Sequence, residues 1–452
     1  MKLDRGLKIV LILLLIVLIS IISFAGIYVQ EKKSMVNVLA DYKLGMDLKG
    51  SRTITVIVDD SKKTVYYDKD GKVVESEDKN GSKEEVPVNS KDALTKENYL
   101  KTKTIIEKRL NDLGIEEYLI RQNEDTGRLT VQIPEDDSTD MAIQYLYTTG
   151  KFSITDEDGT VLLDNSNIKN AKVAYNTTQS GTTVYLNIQF NKDSVEKLKE
   201  ITNNHLKTTD SEGKDISKKI TMKLDDTDLI STSFEEEVTN GVLSLSVGTA
   251  STSSSDLSNY LKEASNISIF LNNEPLPIKY SVDQNRYVLS DITEKTIETV
   301  GIVAGGVLVL ACIVLTIVYK KNGLLAGIAN IGYVAVLLII IRYTNVIITT
   351  EGLFGILISV ILNYIFSIYL LKMMKNKEIT VGKAYNKTVL AMLFVLIPAL
   401  AVGVTLCFAN WMPIYSFGEI IFWGILLIFI YNTVLTRTLL MCSTKKQSMK
   451  EV

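Results

Sequence analysis

Six apolar runs, each about 20 residues long and none charged in its interior, govern what this chain can fold into: about 9–29, 300–319, 324–341, 353–371, 388–409 and 416–436. A helix of about 20 residues, rising about 1.5 Å per residue, spans the roughly 30 Å hydrocarbon layer of a bilayer, so each run is long enough to cross one. The first run stands near the N-terminus, the other five crowd the last third, and most of the charge lies between 30 and 295. That partition explains why 452 residues are 46% hydrophobic and yet 22% charged, a mixture that suits neither a purely soluble nor a purely embedded protein. The expected fold is a polytopic α-helical membrane protein with six spans and a large α+β region on one side.

Flanking charge sets the expected orientation. Lys2, Arg5 and Lys8 precede the first run, which exceeds the 7–15 apolar residues of a signal peptide and reads as an uncleaved anchor rather than a segment cut near Ser23-Phe24-Ala25. Lys320, Lys321, Lys372, Lys375, Lys377, Lys383, Lys387, Arg437, Lys445, Lys446 and Lys450 fall on the side of the N-terminus, and the opposite short loops contribute only Arg342. The positive-inside rule then places both termini in the cytoplasm and the large region on the outer side of the membrane.

Within that region, alternation predicts a strand over 52–58 and a hairpin over 62–74 turning at Asp70-Gly71, followed by a polar surface excursion over 75–89. A helix is expected over 96–113, with Thr95 as N-cap and Gly114 as stop. Strands over 118–122 and 128–133, a helix over 139–147 and a strand over 151–155 complete the order βαββαβ, that of a ferredoxin-like sandwich. A second α+β module is expected over 161–295, with strands at 184–190, 220–224, 242–247 and 267–271 and helices at 192–206 and 257–264. The limits read as 1–29 for the first span, 30–160 for the base, 161–295 for the second module, 296–441 for the five-helix block and 442–452 for a cytoplasmic tail.

Several chemistries are excluded. Cys312, Cys407 and Cys442 lie in or beside apolar runs, which rules out a disulfide framework for the exposed region. His205 is the only histidine and reads as a surface or helix-end residue, since a metal ligand or base would stand alone; no metal, no cofactor and no catalytic triad is expected. Carboxylate clusters such as Asp225-Asp226 and Glu235-Glu236-Glu237 read as solvated strand ends. Lys and Glu are intermixed with no basic, aromatic-studded stripe, so nucleic acid is not an expected partner. Inside the spans, 352–371 offers only Ser359, Asn363, Tyr364 and Ser367, and the last run adds Asn432. Asn363 and Asn432 read as interhelical hydrogen-bonding groups, and Pro398 as the site of a kink. No carboxylate, histidine or cation lies in any span interior; Glu419 and Arg437 sit near the edges. A chain so built moves no protons alone.

Ordered segments along the chain resemble the SecD family of the Sec protein-export machinery. They are Leu44-Gly-Met-Asp-Leu-Lys-Gly50, Ile105-Ile-Glu-Lys-Arg-Leu-Asn-Asp-Leu-Gly114, Val131-Gln-Ile-Pro134, Asp158-Gly-Thr-Val-Leu-Leu163, Glu274-Pro-Leu-Pro-Ile278, Leu325-Ala-Gly-Ile-Ala-Asn-Ile331, Gly352-Leu-Phe-Gly355 and Leu435-Thr-Arg-Thr-Leu-Leu440. The resemblance implies half of an RND-type membrane protein, with Leu44, Gly45, Asp47, Leu48, Gly50, Gly352, Gly355 and Arg437 at family-motif positions. Arg437 is equally an ordinary inner-edge arginine. The resemblance further implies a separate SecF partner, the SecYEG channel and unfolded preprotein as associates, soluble modules hinged near 272–291 and on a 29–41 stem, and a non-enzymatic role in export. The chain departs from the family pattern in its fourth span. Aligning Gly352 and Gly355 puts Ile365 at the family's proton-path Asp, Ser367 at the nearby Asn, and Lys372-Met373 at a Glu-Arg pair, while Ser51 replaces the second motif glycine. The alternatives are an RND-type transporter of lipids or small amphiphiles independent of Sec, and a structural half that moves nothing.

Overall fold

The computed structural model describes residues 5–31, 34–67, 73–74, 81–136, 138–209, 217–290, 292, 294–375 and 379–444. The Asp70-Gly71 turn, Asp291, Lys2, Lys377 and the tail lysines Lys445, Lys446 and Lys450 lie outside them. Two compact units emerge, one from residues 1–51 and 289–452, the other from 52–288.

The first unit is helical, and five of its helices are long and apolar enough to cross a membrane. They are the N-terminal helix Arg5–Ala25, a long helix Glu294–Tyr343, a central helix Thr350–Met374, a helix Val381–Leu406 and a last one that runs from Met412 through a π-helical turn at Asn432–Thr436 to Ser443. The long helix covers two of the expected apolar runs and breaks between them at Lys320, whose φ of 52° and ψ of −132° are not helical. Its arms fold back on each other. A Cβ on Gly327 would lie 3.1 Å from Cys312, and one on Gly323 would collide with the Leu315 carbonyl, so the pairing runs antiparallel around the break. Pro398 sits inside a helix that continues through it. Ile16, Tyr333, Phe366, Leu370, Ile420, Ile425 and Ile428 form the centre of this unit's core. In the stem after the first helix, Tyr28–Glu31 pairs with Ser34–Asn37 as a two-stranded hairpin.

In the second unit a four-stranded sheet has the order Tyr280–Val288, Ser51–Val58, Leu129–Pro134, Leu119–Gln122. Numbered along the chain these are strands 4-1-3-2 of a βαββαβ path. The helix Lys96–Asp112 begins where Thr95 accepts the Asn98 N–H and gives way at Gly114, φ +87°, as the sequence predicts. It and the helix Thr139–Tyr147 bury Ile106, Leu110, Ala142 and Leu146 against Ile54, Val56, Leu129 and Val131.

Three expectations are corrected. The strand at 151–155, expected to close this sheet, instead pairs as Phe152–Thr155 with Val161–Asp164 and Ile220–Leu224 in another sheet. The closing strand is Tyr280–Val288, supplied after the whole second module has been inserted. Ile267–Leu271, expected as a strand, belongs to one helix, Ser254–Asn272, in which Ala264, Ser268 and Leu271 are buried at helical spacing. The polar stretch 75–89 contains a strand, Ser82–Pro87, aligned with Lys62–Tyr67. The inserted module adds a three-stranded sheet, ordered Ile168–Thr178, Gly181–Phe190, Val242–Ser251, with the Ser254–Asn272 helix against it. His205 ends the helix Val195–Asn204, as expected, but is buried, with Nδ1 2.7 Å from the Ile201 carbonyl.

Candidate functional site

The central helix Thr350–Met374 and the last helix pack in parallel along a seam of small residues. Gly352 faces Ser416, Gly355 faces Ile420, and Gly424 faces Ser359. Lipid tails are as apolar as leucine, so helices in a bilayer gain from close backbone approach rather than from hydrophobic burial. Each glycine makes that approach possible. A Cβ on Gly424 would stand 2.5 Å from the Ser359 Cβ, so Gly424→Ala is expected to cost on the order of 1–2 kcal/mol of helical-unit stability through overpacking. Gly382→Ala, whose new methyl would meet nothing nearer than 3.6 Å, is the matched control in a detergent thermal melt, where the gain in helix propensity without overpacking should leave the midpoint level or slightly raised.

The polar residues of this seam form one neutral chain. Asn432 Nδ2 donates to Asn363 Oδ1 at 2.7 Å and to the Ile428 carbonyl at 2.8 Å. Asn363 Nδ2 donates to Asn330 Oδ1 at 2.7 Å, and the Ser367 hydroxyl donates to the same oxygen at 3.0 Å. The chain thus ties the last helix, the central helix and the second arm of the long helix together. Close by, the Tyr333 hydroxyl donates to the Gly424 carbonyl at 2.9 Å. All these side chains are buried, and Asn330 Nδ2, Asn432 Oδ1, Ser359 Oγ, Tyr431 Oη and Thr436 Oγ1 have no partner among the described residues. Asn432 opens the π-helical turn, a local distortion that recurs at functional positions.

Asn363 and Asn432 therefore meet across helices, as expected of packing groups, and Ser367 joins them. Ile365 does not. It lies on the outward face of the central helix, 44% exposed, in line with Phe354, Leu357, Ile358 and Ile361. Asn330, which receives both donors, escaped the sequence reading although it stands alone among apolar neighbours in Leu325-Ala-Gly-Ile-Ala-Asn-Ile331. That isolation was the available signal. Arg437 stacks over the Tyr385 ring, 5.2 Å from its centroid, just beyond the π-helical turn.

The 44–50 segment acts on the start of the same central helix. Lys43-Leu44 pairs in parallel with Ile347-Ile348, and the Gly45 N–H donates to the Ile348 carbonyl at 2.8 Å. The turn Met46–Lys49 then buries Leu48, and Gly50 leaves it at a φ of +92° that favours glycine. Asp47 Oδ2 accepts the Thr350 N–H at 2.6 Å while Thr349 Oγ1 accepts the Gly352 N–H at 3.1 Å. Two of the unpaired donors at the helix start are thereby satisfied, one by a carboxylate set at the positive end of the helix dipole. Asp47→Ala should cost about 1 kcal/mol and Asp47→Asn less, read from the unfolding midpoint of the helical unit.

No family model matches the chain. Among curated proteins it is similar to the protein translocase subunit SecD of Acidaminococcus fermentans, 27% identical over 260 residues that cover 57% of this chain and 56% of that protein. It is also similar to SecD of Dictyoglomus turgidum, 24% identical over 270 residues, 59% of this chain and 61% of that one. These alignments span less than two thirds of either relative. A longer alignment, with SecD of Sebaldella termitidis, is 23% identical over 396 residues, 85% of this chain and 84% of the relative. Among solved structures, SecDF in its super-membrane-facing form shares the fold, with a TM-score of 0.54 and 18% identity over 97% of this chain and 57% of that one. The ordered motifs, the presence of a helical unit and an α+β unit, and these likenesses agree: the chain is similar to SecD-type membrane proteins.

Proposed function

We propose that this chain is an accessory subunit of the Sec translocase that binds preproteins on the outer face of the bacterial cytoplasmic membrane and assists their export beside a SecYEG channel, paired with a SecF-type half. It is read as a binding and moving device, not an enzyme. The observation that carries the energetic part of the reading is the neutral asparagine chain. At the centre of the helical unit, where a proton path needs a group that changes charge, the three helices are joined by amides and a hydroxyl. One elementary charge falling through 100 mV releases about 2.3 kcal/mol, and in this reading that energy enters through the partner half. The outward stripe from Phe354 to Ile365 supports a second half packing there, with the family's aspartate position at the join.

Six spans are part of the proposal. The fold-back at Lys320 supports two crossings by the long helix, which returns both termini to the cytoplasmic side. The 4-1-3-2 strand order supports a ferredoxin-like base, and the inserted module, about 150–273, forms its head. Affinity purification of the full chain from its native membrane tests the whole. Recovery of a SecF-type chain whose own fourth span carries an aspartate is the expected result. Recovery of this chain alone as a homo-oligomer, free of Sec components, would sink the export reading.

A further inference from the structure

The head carries an edge strand, Ile168–Thr178, whose outward side is half occupied. Near its start the side-chain amide of Asn272 pairs with the backbone of Ala171 as another strand would. Its Oδ1 accepts the Ala171 N–H at 2.7 Å, and its Nδ2, together with the Ser268 hydroxyl, donates to the Ala171 carbonyl at 2.9 Å. The peptide groups of Ala171 thus point away from the neighbouring strand Gly181–Phe190. In an antiparallel ladder that orientation recurs at every second residue. The register is unbroken from Asn170↔Gln189 to the closing pair Thr178↔Gly181, so Val173, Tyr175 and Thr177 also turn their N–H and C=O outward. The Thr177 and Thr182 hydroxyls, 3.0 Å apart, fit the close side-chain approach of such a non-hydrogen-bonded pair. No hydrogen bond reaches these outward groups from the described residues.

Free edges are ordinarily blunted by lysine, proline, a bulge or a covering element. Val173-Ala-Tyr-Asn-Thr177 has neither charge nor proline, and Tyr175 is 72% exposed. We propose that this length of edge, 173–177, is a capture site for unfolded polypeptide, which adds to the head's three-stranded sheet as an extended strand. Asn272 at Ala171 terminates the site at one end and the hairpin at 178–181 terminates it at the other, which limits the guest to a few residues in β conformation. Main-chain pairing of this kind is indifferent to most side chains, as a site for many different chains in transit must be. The proposal rests on the export reading and gives its binding step a location.

The test uses the full-length chain in nanodiscs and reduced, carboxymethylated α-lactalbumin, a protein that stays unfolded, as the probe. Tyr175→Pro and Thr177→Pro each delete one outward donor and no bond to the neighbouring strand. Each should weaken binding about tenfold, with Tyr175→Phe within about twofold of the parent. Thr177→Lys, which places a charge on the edge without touching the backbone, repeats the test should a proline variant lose the parent's circular dichroism. Equal binding by the parent and every edge variant would overturn the edge as the site while leaving capture by this protein intact. No binding by the parent would overturn both the site and the capture reading. Concentration-dependent pairing of two copies through this edge, abolished by Tyr175→Pro with probe binding unchanged, would overturn the choice of occupant.

Discussion

Arg109→Ala is expected to lower the unfolding midpoint of the soluble unit by roughly 6–20 °C, the equivalent of about 3–5 kcal/mol for a unit of this size. Arg109 is fully buried in the helix Lys96–Asp112 and forms no ion pair with a carboxylate among the described residues. Its guanidinium donates instead to four carbonyls: Tyr145 at 3.2 Å, Thr148 and Thr149 at 2.8 Å, and Glu274 at 3.3 Å. It also lies over the Phe270 ring, 4.9 Å from the centroid. Residues 148–149 lead from the base into the head and Glu274 follows the helix that leads back, so one side chain holds both connections. Asp225 helps from the head side, accepting the Gly150 and Lys151 N–H groups at 3.2 and 2.8 Å.

Burial pushes the Arg109 guanidinium down to about 10, against a partial pull upward from Asp225. That value lies below the free one, so the group stays charged at neutral pH but folding disfavours its charged form relative to the unfolded chain. The cost of burying the charge is accordingly constant at any pH below about 10 and is relieved only above it. Between pH 5 and 8 Arg109 should impose no pH dependence on stability. Arg109→Met, which keeps bulk but no donor, should lose most of the same free energy, because the orphaned carbonyls carry the penalty. Arg109→Lys should fall between. Far-UV circular dichroism of the full chain reports on both units, whereas Trp411 and Trp423, the chain's two tryptophans, report only on the helical unit, so a transition seen by circular dichroism and not by tryptophan fluorescence belongs to the α+β unit. A midpoint shift under about 2 °C in Arg109→Ala would show that the carbonyls find other partners.

What the sequence could disclose divides by range. Thr95 as N-cap, Gly114 as stop and the helix Thr139–Tyr147 are settled by neighbours within a few residues, and they were legible. Phe152–Thr155 alternates equally well in either of two sheets; its hairpin partner Val161–Asp164 follows within ten residues, but the partner on its other side, Ile220–Leu224, lies some 70 residues on, beyond the reach of local signals. Ile267 and Ile269 favour a strand on propensity, yet packing of Ala264, Ser268 and Leu271 against the head sheet holds them in a helix. Nothing near Arg109 in the sequence marks it as buried, because its acceptors come from 145–149 and 274. In the helical unit the difficulty is different. The central helix is apolar around its whole circumference, since lipid and protein neighbours ask for the same side chains. Its apolar residues therefore hide the phase, and the one signal that separates outward Ile365 from inward Asn363 and Ser367 is the four-residue spacing of Ser359, Asn363 and Ser367.

That phase makes Asn363, rather than Ile365, the position at which a carboxylate would test the neutral centre from within. Asn363→Asp keeps size and shape but removes the donor to Asn330 Oδ1 and sets a negative charge among buried acceptors. An ionised aspartate at the middle of a span costs about 3 kcal/mol, whereas interhelical hydrogen bonds average about 0.6 kcal/mol each. Asn363→Leu, which severs two such bonds and introduces no charge, should therefore be the milder change, on the order of 1–2 kcal/mol. The two variants should also differ in pH dependence. Burial holds the new carboxyl neutral in the folded state, so its folded pKa is raised above the unfolded one. The variant should be near parent stability below the unfolded pKa, about 4, where the protonated acid donates to Asn330 as the amide did. The deficit should then grow as pH rises and level off once the folded group ionises. Tryptophan-detected melts in detergent from pH 4 to 8 would reveal it, with Asn363→Leu showing a constant deficit over the same range. A pH-independent Asn363→Asp would mean that water or a counter-charge already reaches this depth, and the centre would then be a place where ions can be held rather than a dry joint between three helices.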